Sequence, residues 1–376
     1  MFSLRLHPLI GARPGALART LWRHGGVSLG RVHLVILTIL LGLVRWPNCC
    51  IESIRTRSAL SIALDQSPVF IVGHWRSGTT LLHHVLSRDQ SFCFPRMIDV
   101  LSPFEFFPSA MERFTHPLIY RMLPLTRPMD EVPLHPSLPQ EEEIALAAMA
   151  ASSFYNCIYF PERFENTFRT EVLLQSEQGT QFIDEWSSAY RYYLGKLVLR
   201  YPGRRLLLKN PANSARIRTL TRLFPGAKFI HIHRNPYDVF SSMSKFYQRM
   251  LPILALQAYD TAKIDDYVLR AYLPLMTTLL KDTADLKANE FVALSYDELI
   301  ARPMDAVEHI YRQLEIPLTT SSVANMNDFI SHSPIIRPPP THLSVELAEA
   351  VYRAWKPVFQ KLSYSKDQQQ GIVQMN

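Results

Sequence analysis

Short apolar runs alternate with helical patterns along the central and carboxyl-terminal parts of this chain. The apolar runs lie at residues 68–72, 205–209, 227–234 and 290–295. The helical patterns lie at residues 212–224, 237–250 and 303–314. Strands that are separated by helices form parallel sheets, and functional groups collect where such strands end. We therefore predict an α/β fold, with a P-loop-like parallel β-sheet flanked by helices.

Residues 90–200 show no alternating strand pattern. A helix is predicted to begin at the acidic segment 139–143, because a proline and carboxylates in a first turn complement the helix dipole. A second helix is predicted from about residue 171 to 201, and residues 102–139 look irregular. We predict a large helical insertion at about 91–201, whose aromatic and aliphatic residues shape an acceptor pocket.

The amino-terminal segment is basic and contains a short apolar run. The first 51 residues hold six arginines and no acidic residue, and residues 34–44 are apolar up to Arg45. Eleven residues fall short of the roughly 20 that a bilayer-spanning helix needs. Two interpretations stay open, a helix buried against the domain and a basic anchor on a membrane surface. Trp22 and Trp46 favour the anchor, because tryptophan suits a membrane interface.

These patterns divide the chain into three parts. Residues 1–60 form the amino-terminal segment with its short apolar helix, and residues 61–365 form the main domain. Residues 366–376 are predicted to be a flexible tail, since glutamine dominates there.

The amino-acid composition narrows the classes of molecule that the protein is expected to bind. The net charge of +7 favours anionic partners. Nucleic acid is disfavoured, since the basic residues form no compact patch with aromatic residues between them. The four cysteines and 13 histidines show no metal-ligand spacing. We expect a reduced, cytoplasmic protein without a metal, associated with a membrane if the amino-terminal segment is an anchor.

The segment from Gly73 to Thr80 carries the clearest chemistry. It reads Gly-His-Trp-Arg-Ser-Gly-Thr-Thr and lies between the first strand and an apolar helical run. A strand, a glycine turn and a helix start offer backbone N–H groups to an anion. Thr79 stands where a nucleotide-phosphate loop has its lysine, and the cation is Arg76 inside the loop. The loop is predicted to bind a compact anionic group, the alternative being an ordinary strand-to-helix turn.

Together with a second motif, this loop resembles that of sulfotransferases that use 3′-phosphoadenosine 5′-phosphosulfate (PAPS). The second motif is Arg234-Asn235-Pro236-Tyr237-Asp238 with Ser242 eight residues after the arginine. The likeness covers about residues 68–317 and is closer to the bacterial-type and tyrosylprotein branch. Members of that branch also show segments like 127–130, Arg-Pro-Met-Asp, and 139–143.

The resemblance implies a role for each matching residue. The 5′ side of PAPS would be held by Arg76, Ser77, Gly78, Thr79 and Thr80. Lys209 would stabilise the transferring sulfuryl group, while Arg234 and Ser242 would bind the 3′-phosphate. Tyr296 resembles the tyrosine near the adenine, or is a buried aromatic residue. PAPS is then a co-substrate, and no metal is needed.

The sequence departs from the family at the general base. Pro211 stands where the small-molecule enzymes have a histidine, and Arg96 stands where the tyrosylprotein branch has a glutamate. The carboxylates Glu141 and Asp99 and the histidine His83 remain as three candidates.

The expected function is transfer of a sulfuryl group to a hydroxyl or amine of a small-molecule, lipid or glycan acceptor. One alternative is a P-loop kinase that uses ATP, which the missing loop lysine disfavours. The other is a non-catalytic binding protein of the same fold at a membrane surface.

Overall fold

The computed structural model describes residues 7–60, 66–105, 107, 126, 135–175, 180–333 and 343–369. Five strands form a parallel sheet in the order β2-β3-β1-β4-β5. Their bounds are β1 Val69–Val72, β2 Phe92–Cys93, β3 Arg205–Lys209, β4 Lys228–His233 and β5 Phe291–Ser295. The predicted α/β class with a parallel sheet flanked by helices is therefore confirmed.

Fifteen α-helices lie in the described part of the chain. The first seven are α1 Pro14–His24, α2 Val32–Arg55, α3 Thr79–Leu86, α4 Met97–Leu101, α5 Glu143–Ala148, α6 Tyr155–Tyr159 and α7 Phe164–Thr167. The next four are α8 Thr180–Arg200, α9 Ile217–Leu223, α10 Pro236–Leu254 and α11 Ile264–Asp282. The last four are α12 Tyr296–Ala301, α13 Pro303–Gln313, α14 Thr320–His332 and α15 Val345–Lys361.

The chain contains two compact units. Unit 1 comprises residues 1–67, 91–208 and 249–259, and unit 2 comprises residues 68–90, 209–248 and 260–376. The predicted amino-terminal segment thus falls in the same unit as the predicted insertion. The predicted domain boundaries themselves stay a prediction.

Unit 2 contains strands β1, β4 and β5. Strand β4 pairs with β1 on one side, with Val72 opposite His231, and with β5 on the other, with His233 opposite Ser295. All four residues of β1 are buried, which is typical of a parallel strand covered on both faces. Because these strands run in the same direction, the loops that follow them lie at one edge of the sheet.

Aromatic side chains also pack against one another in the interior of unit 2. Trp355 of α15 stacks on Tyr272 of α11 with ring centroids 3.8 Å apart. The Trp355 indole N–H donates to the Leu269 carbonyl at 2.9 Å, so its polar atom is satisfied inside the core.

Unit 1 holds the amino-terminal helices. Helix α2 has 24 residues, which is longer than the apolar run 34–44 from which it was predicted. Arg45 lies within the helix and does not end it. Its charge is accommodated there because the buried guanidinium forms an ion pair with Glu105. Together with the preceding turn, the segment Leu29–Arg55 is long and apolar enough to cross a membrane by length and composition, and 22% of its most apolar stretch is buried.

One further expectation differs from the structure. The helix predicted from the acidic segment begins at Glu143 rather than at 139, and Gln140 instead donates its backbone N–H to the Pro95 carbonyl at 2.8 Å. The flexible tail predicted at residues 366–376 stays a prediction. At and just before its start, the Tyr364 hydroxyl lies 2.8 Å from the His233 ring and the Tyr237 hydroxyl donates to the Lys366 carbonyl at 3.1 Å.

Candidate active site

The glycine loop leaves β1 through a backbone shape that excludes side chains. Gly73 has φ +136°, and a Cβ there would come within 3.0 Å of the Ile232 carbonyl oxygen of β4. The Ser77 N–H donates to the His74 carbonyl at 3.2 Å, which closes the turn. Arg76 has φ +70°, an uncommon value for a residue with a side chain. Strain of this kind is concentrated at functional sites.

Gly78 lies at the amino-terminal end of helix α3. It has φ +97° and carries no side chain that could cap the helix. The first N–H groups of a helix have no partner within the helix and are the positive end of its dipole. This end of α3 is therefore suited to an anion such as a phosphate.

The segment after β3 is bound to the start of the loop. Lys209, the last residue of β3, is 3% exposed. The next residue, Asn210, donates its backbone N–H to the Ile71 carbonyl of β1 at 3.3 Å. The Ser214 hydroxyl accepts from the Gly73 N–H at 2.8 Å and donates to the Gly73 carbonyl at 3.1 Å. These bonds hold the Lys209 strand end beside the glycine loop.

The Arg234 side chain lies between a carboxylate and an aromatic ring. Its guanidinium is 3.2 Å from the Asp238 carboxylate and 4.9 Å from the centre of the Tyr296 ring. The same ring lies against the loop, since a Cβ on Gly78 would come within 3.0 Å of two Tyr296 ring carbons. Tyr296 therefore connects the motif after β4 with the loop after β1.

A hydrogen bond joins the two predicted phosphate motifs directly. The Arg76 Nε–H donates to the Ser242 hydroxyl oxygen at 2.9 Å. Ser242 lies on α10, which begins two residues after Arg234. The predicted residues of the 5′ side and of the 3′-phosphate thus form one continuous cluster in unit 2.

The histidines of β4 and of the loop do not supply the positive charge of this cluster. Burial lowers the pKa of His231 to about 3 and also lowers the pKa of His233. Burial lowers the pKa of His74 to about 4. All three rings are therefore neutral near pH 7, and the basic side chains of the cluster are Arg76, Lys209 and Arg234.

The sequence model of the sulfotransferase family matches residues 68–320, which is two thirds of the chain. The chain belongs to the sulfotransferase family. The matched range nearly coincides with the range of the resemblance noted above, and PAPS is the sulfuryl donor that this membership implies.

Two mycobacterial relatives align along nearly the whole enzyme. They are the proteins of Mycobacterium bovis and Mycobacterium tuberculosis named omega-hydroxy-beta-dihydromenaquinone-9 sulfotransferase Stf3. Each is 27% identical over 363 residues, covering 95% of this chain and 91% of the relative.

Solved structures of two sulfotransferases share the fold. STF9 from Mycobacterium avium has a TM-score of 0.71 at 17% identity and covers 94% of this chain and 97% of its own. STF1 from Mycobacterium tuberculosis has a TM-score of 0.65 at 18% identity and covers 91% of this chain and 90% of its own. At these identities the likeness concerns the fold alone.

The shape of the sulfotransferase cluster fits a phosphate-bearing nucleotide. The loop backbone at Gly73 and Gly78 lies where side chains would collide with neighbours, so both positions require glycine. Hydroxyls stand at Ser77, Thr79 and Thr80, the first two buried and the third half-buried. Among the described residues no group of three or more His, Cys, Asp or Glu side chains is placed to hold a metal ion.

The three candidate bases of the sulfotransferase lie in different surroundings. In unit 1, Asp99 is 2% exposed and accepts from Arg96 at 2.9 Å and from Arg200 at 3.0 Å. Glu141, also in unit 1, is half-buried and precedes α5. In unit 2, His83 lies on α3 and is fully buried.

The segment 127–130, Arg-Pro-Met-Asp, lies outside the described residues. The neighbours of Glu141 have structural contacts, since Glu142 accepts from the Tyr190 hydroxyl and Glu143 from the Phe154 N–H, both at 2.7 Å.

The sequence analysis assigned no role to two residues of the cluster, Asp238 and Ser214. Asp238 follows Arg234 by four positions on one helical face, and that spacing was a readable signal for an ion pair. Ser214 contacts a residue 141 positions away, and no local pattern could have indicated it.

We expect Gly78→Ala to lower the affinity for adenosine 3′,5′-bisphosphate, the product of PAPS, by at least about 10-fold, as one lost charge-assisted hydrogen bond would. The added methyl would collide with the Tyr296 ring, which then has to move away from Arg234. Calorimetric titration measures the change. Gly203→Ala is the matched control, because Gly203 also has a positive φ, +76°, but open space around its Cβ position. An equal loss of affinity in both variants would show that backbone strain, and not the Tyr296 contact, is responsible.

Proposed function

We propose that this enzyme transfers the sulfuryl group of PAPS to a hydroxyl of an amphipathic lipid acceptor at a membrane. The observation that carries the nucleotide part is the 2.9 Å hydrogen bond from Arg76 to Ser242, which joins two anion-binding motifs into one site. A donor with phosphate groups at both its 3′ and 5′ ends suits such a paired site. A kinase using ATP is disfavoured, because Thr79 replaces the lysine of a triphosphate loop.

The roles of the residues follow from charge and position. Arg76 and the loop N–H groups would bind the 5′-phosphosulfate, and Arg234 with Ser242 would bind the 3′-phosphate. In the reaction a bond forms between the acceptor oxygen and sulfur while the bond from sulfur to the bridging phosphate oxygen breaks. Lys209 would stabilise the negative charge that develops on that bridging oxygen, and adenosine 3′,5′-bisphosphate leaves. The acceptor proton passes to a general base.

Glu141 is the first of the three candidate bases in this proposal. The acceptor hydroxyl must be able to reach the general base. Glu141 meets this requirement best because it is partly exposed, whereas Asp99 and His83 are buried. Both oxygens of Asp99 already accept hydrogen bonds from arginines.

The acceptor class rests on the relatives and on composition. The two mycobacterial relatives are named for a hydroxylated menaquinone, a lipid, and their alignment leaves out only 5% of this chain. Most of the apolar amino-terminal segment therefore lies inside the aligned range. A glycan, a soluble small molecule, or an amine in place of the hydroxyl is the alternative.

The proposed location is the cytoplasmic side of a membrane, with contact through the amino-terminal segment. The four cysteines are all free thiols, as expected of a reducing compartment. The apolar helix α2 supports the membrane contact, because several of its large apolar side chains are exposed.

The nucleotide assignment predicts that Arg234→Ala weakens binding of adenosine 3′,5′-bisphosphate by about 10- to 100-fold, since a charge-assisted contact contributes roughly 1.5–3 kcal/mol. Binding of adenosine 5′-phosphate should not change, because it lacks the 3′-phosphate. Calorimetry of both nucleotides gives the comparison. Arg270→Ala is the control, as Arg270 forms an exposed ion pair with Asp266. Tight ATP binding without bisphosphate binding would refute the assignment.

The acceptor assignment predicts transfer of label from [³⁵S]PAPS to a hydroxylated isoprenoid quinol in detergent micelles. Labelled product is separated by chromatography, and Lys209→Ala, expected to lose at least about 100-fold in rate, shows that the transfer is enzymatic. Transfer confined to soluble sugars would reject the lipid class while leaving the sulfotransferase activity intact.

The base assignment predicts that Glu141→Gln lowers kcat by about 100-fold or more and leaves bisphosphate affinity unchanged. Asp99→Asn should instead lower the melting temperature, because it weakens two ion pairs of a buried carboxylate. Steady-state kinetics and thermal unfolding are measured on both variants and on His83→Gln. A full kcat in Glu141→Gln, with a large loss in a stable His83→Gln, would move the role to His83.

A further inference from the structure

Helix α2 has its polar and apolar faces reversed relative to a helix of a soluble domain. The residues buried against unit 1 are Thr38, Gly42, Arg45, Cys49 and Glu52. The large apolar residues on the opposite face are 50% to 64% exposed and comprise Ile36, Leu40, Leu43, Val44, Ile51 and Ile54. With 3.6 residues per turn, the two sets lie on opposite sides of the helix, and the apolar stripe is roughly 27 Å long. An exposed apolar surface of this length marks an interaction site.

The inward face is fixed by buried ion pairs within unit 1. Arg45 pairs with Glu105, whose other oxygen accepts from the Asn48 amide at 3.0 Å. Glu52 pairs with Lys196, which also donates to the Pro103 carbonyl at 2.8 Å. Separating these pairs would expose each charge to lipid, so α2 is held lengthwise on unit 1 and does not suit a bilayer crossing.

The surroundings of the apolar stripe are basic. Glu52 is the only acidic residue in the first 57, and it is buried. Exposed arginines precede and follow the stripe, at Arg19, Arg23, Arg55 and Arg57. Trp22 is 88% exposed and Trp46 is 49% exposed. Arginines and tryptophans beside an apolar helical face are typical of helices that lie in the headgroup region of anionic membranes.

We propose that the outward face of α2, from Ile36 to Ile54, is a docking surface for an anionic lipid bilayer, and that the helix lies parallel to the membrane plane. A second copy of the chain is the competing occupant. It is disfavoured because a symmetric pairing would bring the arginines that flank the stripe together without exposed carboxylates in this segment to compensate them.

This proposal deepens the membrane location in the proposed function and rests on it. Docking by the side of α2 gives unit 1 a fixed orientation toward the membrane surface, where an acceptor dissolved in lipid lies. Vesicle binding requires neither PAPS nor turnover, so the two proposals can fail separately.

The test uses the full chain and vesicles of phosphatidylcholine with and without about 30% phosphatidylglycerol, an anionic fraction in the range where polybasic attraction acts. Flotation should recover the enzyme with anionic vesicles at least 10-fold more than with neutral ones. The triple variant Leu40→Gln/Leu43→Gln/Val44→Gln should lose at least 10-fold in binding. Val345→Gln, which changes an exposed apolar residue of α15 (68% exposed), should bind as well as the unchanged chain.

A fluorescence measurement tests whether the outward face of α2 enters the membrane. Cys50 is exposed on α2, whereas Cys49, Cys93 and Cys157 are buried, so an environment-sensitive maleimide dye labels Cys50 selectively. Its emission should shift to the blue with anionic vesicles. Adenosine 3′,5′-bisphosphate affinity, measured for every variant, should stay unchanged and shows that each variant is folded.

Four results would overturn the docking proposal. They are absence of vesicle binding by the unchanged chain, full binding by the triple variant, resistance of bound enzyme to carbonate extraction, and a dimer in sedimentation that the triple variant dissociates. The third result would assign α2 to a bilayer crossing and the fourth would assign its face to a second copy. Vesicle binding without sulfuryl transfer would contradict only the proposed function.

Discussion

The site depends on the parallel arrangement of β1, β4 and β5. Their register sets Val72 opposite His231 and His233 opposite Ser295, so the segments that leave the three strands begin at the same edge. Each segment supplies one part of the cluster. The segment after β1 is the glycine loop, the segment after β4 carries the Arg234 motif, and the segment after β5 begins with Tyr296. The close fit between them leaves no room for a Cβ at Gly73 or Gly78. Strand register and glycine position therefore depend on one another.

Contacts within the protein fix the two arginines of the cluster. Arg76 is held by Ser242, and Arg234 is held by Asp238 and Tyr296. Holding the two guanidinium groups through contacts within the protein reduces the conformational entropy that nucleotide binding would otherwise cost. The neutral histidines of β4 leave Arg76, Lys209 and Arg234 as the basic groups of the cluster near neutral pH. Asp238 also offsets part of the charge of Arg234, which moderates its attraction for anions in general.

The sequence allowed prediction of those features that depend on local patterns. The apolar runs at 68–72, 205–209 and 227–234 predicted β1, β3 and β4, because a buried parallel strand is a continuous apolar run. Other features depend on distant contacts. Arg45 looked like the end of a helix until its partner Glu105, 60 residues away, was known. The contact between Tyr364 and His233, 131 residues apart, has no local signal either. No local sequence pattern identifies the general base either, since the three candidate residues come from separate segments of the chain.

The buried pairs on the inner face of α2 also limit how the chain can be divided. The family match begins at residue 68, which suggests that the catalytic part could be prepared without the amino-terminal helices. Removing them would take away Arg45 and Glu52, the partners of the buried Glu105 and Lys196. Breaking one buried ion pair costs about 3–5 kcal/mol, and a whole domain is stable by only about 5–15 kcal/mol. A chain shortened to the family match would therefore lose most of its folding stability, and the amino-terminal helices are an integral part of the folded enzyme.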